Sequence, residues 1–203
     1  TMLEVATSSN LWVNLFIMVL CAPVAEELIF RKLLIDRLAQ YGEGVAVLFS
    51  GLMFGLFHGN LNQFVYAFVL GLCFGFIYVK TGNIRYTIGL HMLVNFLGSV
   101  LGVAILKWLG DDFLSIASDP AGMMSYMTGN FGKLIVYFIY IFLLLGVAIA
   151  GIILFIVNLK KIRFQSGMNT IPKGKRFSTT VLNVGMALYM IVWIVIIIVQ
   201  LFQ

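Results

Sequence analysis

Apolar residues fill this chain in long unbroken runs, and the polar positions between them are few enough to name. The first run opens at Leu11, reaches Ala25, and continues past two glutamates toward Leu38. The second, Gly44 to Val79, holds no Asp, Glu, Lys or Arg and far exceeds the roughly 20 residues of one helical crossing. Its polar stretch GNLNQ, Gly59–Gln63, is the natural break and predicts helices over 45–58 and 63–79. Further runs predict helices near 86–107, 132–159 and 178–202. The expected fold is all-α, a polytopic transmembrane helical bundle of about six spans.

Composition supports the bilayer as solvent. The chain is 62% hydrophobic and 10% charged, against about 25% charged for a soluble domain. Its 203 residues suit a single membrane-embedded domain over 1–203. The net charge of +5 reads as topology. The linker from Leu159 to Phe177 carries Lys160, Lys161, Arg163, Lys173, Lys175 and Arg176 with no acid, which predicts a cytoplasmic location. Contact of this linker with anionic headgroups is the alternative use of the same charges. Counting back through the crossings, the segments near 32–43 and 80–85 share that side. The GNLNQ turn and a 108–131 loop with Asp111, Asp112 and Asp119 fall opposite. Thr1 then lies outside, so at least one upstream helix is expected beyond this numbering. Glu4 is the only charge in the first ten residues, and no basic region of a signal peptide precedes the apolar run. No aromatic-interleaved basic face indicates nucleic acid. The Ile-, Phe- and Met-rich composition leans toward a bacterial plasma membrane. Cys21 and Cys73 both sit inside apolar runs and read as packing residues. Gly71–Gly75 (GLCFG) has helix-contact spacing, within one chain or between copies, and leaves the oligomeric state open.

A few ionisable groups remain at membrane depth: Glu26, Glu27 and Arg31 on the first helix, His58 on the second and His91 on the fourth. A charge near the middle of a spanning helix costs about 2.5–3.5 kcal/mol on insertion scales, and such residues are functional candidates. Glu27 and Arg31 are four apart and share a helix face, so they can pair. Glu26 points about 100° away and stays available. His91 and Asn95 are also four apart, and Phe54 lies one turn before His58, where it can wall the imidazole. At a rise of about 1.5 Å per residue, Glu26 and His91 fall in the cytoplasmic half of the membrane. His58 falls farther from that face, so a tilt or a deeper helix start is needed to join it to the others. A carboxylate beside an imidazole can hold and deprotonate water. A second imidazole and an amide can stabilise an oxyanion. Two histidines and a glutamate also match a catalytic zinc set, although no HExxH is present. No GxSxG supports a serine nucleophile.

Three ordered motifs carry a resemblance. EELIFR at Glu26–Arg31 matches EExxxR, FGLFH at Phe54–His58 matches FxxxH, and HMLVN at His91–Asn95 matches HxxxN. TGNIRYTIGL at Thr81–Leu90 precedes the last of them. Together they resemble the CAAX protease and bacteriocin-processing (Abi) family of intramembrane endopeptidases. The resemblance implies a glutamate-dependent protease without a metal cofactor, in which Glu26 and His58 activate water. It further implies that His91 and Asn95 hold the oxyanion while Glu27 and Arg31 orient the site. Lys32 departs from the Gly that many members carry after the Arg. The motifs lie in a catalytic core over 11–107, leaving the helices at 132–159 and 178–202 as scaffold. The expected partners are the lipid bilayer and a membrane-associated peptide or protein tail, cleaved in a site open to the cytoplasm. A zinc protease with the same residues, a non-enzymatic bacteriocin-immunity or scaffold protein, and a proton-relaying transporter are the rival readings.

Overall fold

The computed structural model describes residues 10–110, 113–116, 119–169, 171–175, 178–179 and 182–202. Thr1, Glu4, Asp111, Asp112 and Arg176, which entered the orientation argument, lie outside the described residues.

The fold is all-α and polytopic. Five helices are long and apolar enough to cross a membrane: α1 (Leu11–Tyr41), α3 (Leu61–Thr81), α4 (Ile84–Leu109), α5 (Pro120–Lys161) and α6 (Val184–Leu201). Between α1 and α3 lies the shorter apolar α2 (Glu43–Phe57). Polar residues set the starts. Asn10 accepts from the Trp12 amide at 2.9 Å, and Asn60 accepts from Asn62 and Gln63 at 2.8 and 3.3 Å. Asn83 caps Arg85 at 3.0 Å and Asn183 caps Met186 at 2.9 Å, in each case meeting an amide that the first helical turn leaves free. The GNLNQ break is therefore both a stop and a cap.

Two boundaries differ from the sequence pattern: α6 begins at Val184 and not near 178, and α5 begins well before 132. The 108–131 segment is not a continuous loop, because α5 begins at Pro120, behind an Asp119 side chain that accepts from Ala121 and Gly122. Asn130 leaves helical geometry at φ −128° and ψ 25°, so the polar TGNFG stretch marks a kink and not a helix start.

Two compact units divide the chain. The first takes in the N-terminal segment through Cys21 and residues Met92–Arg163. Within it, the hydroxyl of Tyr140 donates to the Leu97 carbonyl at 2.7 Å, and Leu109, Phe113 and Leu134 form the buried cluster. The second takes in Ala22–His91 and Phe164–Gln203. Its helices α2 and α3 meet at glycine. A Cβ on Gly71 would stand 2.8 Å from the Gly51 Cα, and one on Gly75 would touch Ile35 and Val47 at 3.4 Å. The GLCFG pair thus packs within one chain. Phe30, Phe54 and Ala67 form one buried cluster there, and Ile35, Ala46 and Tyr78 another.

The start of the basic linker docks on this second unit. Glu43 donates its amide to the Gln165 carbonyl at 3.1 Å, and its carboxylate accepts from the Gln165 amide at 2.9 Å and pairs with Lys80. Asn169 donates to the Gln40 side chain at 2.8 Å.

Candidate active site

Helix α1 widens into π-helical turns at Leu15–Cys21 and Leu28–Leu33, and α4 does so at Phe96–Gly102. Such turns recur at functional sites, since the extra residue per turn re-aims side chains. Glu26 and Glu27 precede the second widened turn and Arg31 lies within it.

Glu27 and Arg31 are fully buried, and Arg31 Nε lies 3.0 Å from Glu27 Oε2. The pairing expected from their spacing is present. The guanidinium sits between two rings, 4.6 Å from the Phe54 centroid and 5.6 Å from that of Phe74. Its Nη1 donates to Ser50 Oγ at 3.4 Å, and that hydroxyl donates to the Phe30 carbonyl at 2.8 Å. A charge this deep is tolerable because it is both paired and flanked by aromatic faces.

The second oxygen of Glu27 reaches across to α4. His91 Nδ1 donates to Glu27 Oε1 at 3.0 Å. A carboxylate paired with an arginine accepts only, so the proton is assigned to Nδ1. That assignment turns Nε2 toward Glu26, whose Oε2 lies 3.7 Å away. This is an ion-pair distance and too long for a hydrogen bond. Glu26 Oε2 is buried and has no hydrogen-bond partner among the described residues. The result is an ordered series, Arg31–Glu27–His91–Glu26. One carboxylate is held by structure and the other faces the free edge of an oriented imidazole.

His58 joins this group through Phe54. The Phe54 ring stands 4.8 Å from the His58 ring and 5.6 Å from the His91 ring, both edge to face. His58 Nδ1 donates to the Phe54 carbonyl at 2.8 Å. Since a carbonyl only accepts, Nε2 of neutral His58 keeps its lone pair. The imidazole closest to Glu26 is His91, although the motif pattern pairs Glu26 with His58.

Asn95, one turn beyond His91 on α4, belongs to the first unit. There its Nδ2 donates to the Met18 carbonyl at 2.7 Å, within the widened turn Leu15–Cys21.

Sequence reasoning missed three contributors. Ser50 lies four residues before Phe54 and eight before His58 on α2, a stripe whose one hydroxyl in an apolar helix was the available signal. Phe74 and Tyr66 sit on α3, which carries no motif. Phe74 lies 5.5 Å from the His91 ring and Tyr66 lies 6.4 Å from the His58 ring. Nothing short of the helix pairing itself marks these two.

Against this geometry, the family described as "Type II CAAX prenyl endopeptidase Rce1-like" matches residues 8–97, which include all three motifs. Over these residues the chain is similar to the CAAX protease and bacteriocin-processing family. A protein of Bacillus subtilis (strain 168) named "Putative membrane peptidase YdiL" is 33% identical over 74 residues. That match covers 36% of this chain and 30% of the relative. No solved structure matches the chain. Helices α5 and α6 lie outside the family match.

Proposed function

We propose that this protein belongs to that family and is an intramembrane endopeptidase that hydrolyses a peptide bond of a membrane-associated peptide or protein tail. The observation that carries this reading is the His91 imidazole held between two carboxylates, with Glu27 fixed by Arg31 and Glu26 left without a hydrogen bond. A group that only stabilised helix contact would gain from having both carboxylates paired. Leaving one available inside an apolar site suits proton transfer.

In this reading Glu26 takes a proton from water as the water oxygen attacks the scissile carbonyl carbon. His58, with its Nε2 lone pair free, supports the same water from its other side. The family resemblance implies that His91 and Asn95 hold the tetrahedral oxyanion, and His91 does so as an imidazolium, since its Nδ1 hydrogen is held by Glu27 and only a protonated Nε2 can donate. Collapse breaks the C–N bond, and Glu26 returns its proton to the leaving amine. Glu27 and Arg31 keep His91 in one orientation.

The step is read as metal-free. Turnover that survives chelation is expected, whereas stoichiometric zinc with chelator-sensitive turnover would favour the zinc variant. The site is read as opening to the cytoplasm of a bacterial plasma membrane, on the side of the basic 159–177 linker.

The test compares membrane-associated peptide termini in cells expressing wild type or Glu26→Gln at equal inserted levels. Termini that disappear with Glu26→Gln support the reading and name the substrate. Identical profiles would point to an immunity or scaffold role.

A further inference from the structure

Side-chain amides in this protein are mostly committed to the main chain. Asn60, Asn83 and Asn183 cap helices, while Asn95, Asn130 and Asn158 donate to backbone carbonyls. Gln63, in the first turn of α3, is different. Its Oε1 is buried and has no hydrogen-bond partner among the described residues. The other buried side-chain atoms without a hydrogen bond among them belong to Glu26, Glu27 and Arg31, the charged groups of the candidate site. A buried acceptor left unpaired carries its whole desolvation penalty, so it calls for a donor.

Helix geometry places Gln63 on the site side of α3. Positions 63, 67, 70, 74 and 78 recur every three or four residues and form one face. That face meets α1. Ala67 shares a buried cluster with Phe30, the Phe74 ring lies 5.6 Å from the Arg31 guanidinium, and the Tyr78 hydroxyl donates to Asp36 at 2.8 Å. These contacts follow the same order along both helices, so α1 and α3 run parallel here. The turn preceding Phe30 and Ala67 therefore carries Glu26 on α1 and Gln63 on α3. Two buried acceptor oxygens, Glu26 Oε2 and Gln63 Oε1, stand in one layer without partners among the described residues.

Counting hydrogens assigns the donor. In the endopeptidase reading, on which this inference rests, the attacking water has two hydrogens, and Glu26 and the His58 Nε2 lone pair take both. Gln63 is uncharged and takes no proton, so it can accept from a further donor without disturbing that transfer. A peptide drawn into an apolar site brings such donors, because each backbone N–H that leaves water needs an acceptor. A helical segment has already paired its N–H groups with its own carbonyls, whereas an extended one presents them.

We propose that Gln63 is a substrate-binding residue whose Oε1 accepts a hydrogen bond from a backbone N–H of an extended peptide, next to the scissile bond. Gln63 makes and breaks no covalent bond. The substrate class that follows is a segment unwound around its cleavage site, with a residue other than proline where it meets Gln63.

The test uses the full chain in membranes and a peptide spanning one of the Glu26-dependent cleavage sites. Each amide flanking the scissile bond is replaced in turn by an ester, which removes its N–H. Gln63→Met keeps the length of the side chain and removes the acceptor. It is expected to lower kcat/KM about 10-fold, the loss expected of one uncharged hydrogen bond. Its melting temperature should equal or exceed that of wild type, because an unpaired buried oxygen has gone. One ester is expected to cost wild type about 10-fold and Gln63→Met less than about twofold, and its position names the subsite. Cleavage of the all-amide peptide by Gln63→Met within about twofold of wild type, alongside an inactive Glu26→Gln, would overturn the role of Gln63 and leave the protease reading intact. Ester losses that are the same in both proteins would also overturn it, and with a lowered melting temperature they would make Gln63 a structural residue. If no terminus depends on Glu26, the endopeptidase reading fails and this inference fails with it.

Discussion

Glu27 is the residue on which the site turns, because its two oxygens serve two different partners. One holds Arg31 and the other holds His91. Removing either partner of a buried pair strands a charge, at a cost of about 3–5 kcal/mol. Arg31→Ala is therefore expected to lower the melting temperature of the detergent-purified protein sharply. Glu26→Gln leaves that pair intact and should melt within a few degrees of wild type. Equal melting of Arg31→Ala and wild type would contradict the assignment of Arg31 as the structural partner. This asymmetry between adjacent glutamates was partly legible in the sequence, since four-residue spacing pairs Glu27, and not Glu26, with Arg31. The link from Glu27 to His91 was not legible. It joins residues 64 apart, and local periodicity carries no information about which helices become neighbours.

At the level of elements, close approach of α2 and α3 sets the site. Gly51 and Gly71 allow it, since a Cβ on Gly71 would fall 2.8 Å from the Gly51 Cα, where backbone would have to move. Gly71→Ala should destabilise by about 1–3 kcal/mol through overpacking. Gly89→Ala, on α4 with nothing within 4 Å of the added carbon, should be neutral or gain about 0.5–1 kcal/mol. Thermal melts of the two variants check this, and the reverse order would contradict the packing. Helix α6 reaches the far end of α2. Trp193 packs on Phe57 at 5.1 Å, and Trp193 and Ile196 lie against Gly59, whose φ of +62° makes the turn after His58. The sequence pattern marked this helix as scaffold because it carries none of the three motifs. Its contact with the His58 turn depends on shape alone, which hydropathy does not encode. Trp193→Ala should reduce cleavage while leaving insertion unchanged, as seen by comparing product and membrane-fraction levels.

For the whole molecule, apolar run lengths made most span boundaries readable to within a few residues. The exceptions were the start of α6, at Val184 and not near 178, and the start of α5, where Gly and Asn near residue 130 mark a kink inside a helix. Orientation rests on the basic linker. Ser166→Cys, placed in its exposed part in a Cys21→Ala, Cys73→Ala background, should react with a membrane-impermeant maleimide only in inverted vesicles. Labelling in intact cells would reverse the orientation. The central claim is hydrolysis by a Glu26-activated water, and one comparison tests it most directly. Membrane-associated peptide termini are measured in cells carrying wild type or Glu26→Gln at equal inserted levels. Hydrolysis by this water requires termini that are present with wild type and lost with Glu26→Gln. Termini that persist unchanged in Glu26→Gln would contradict it.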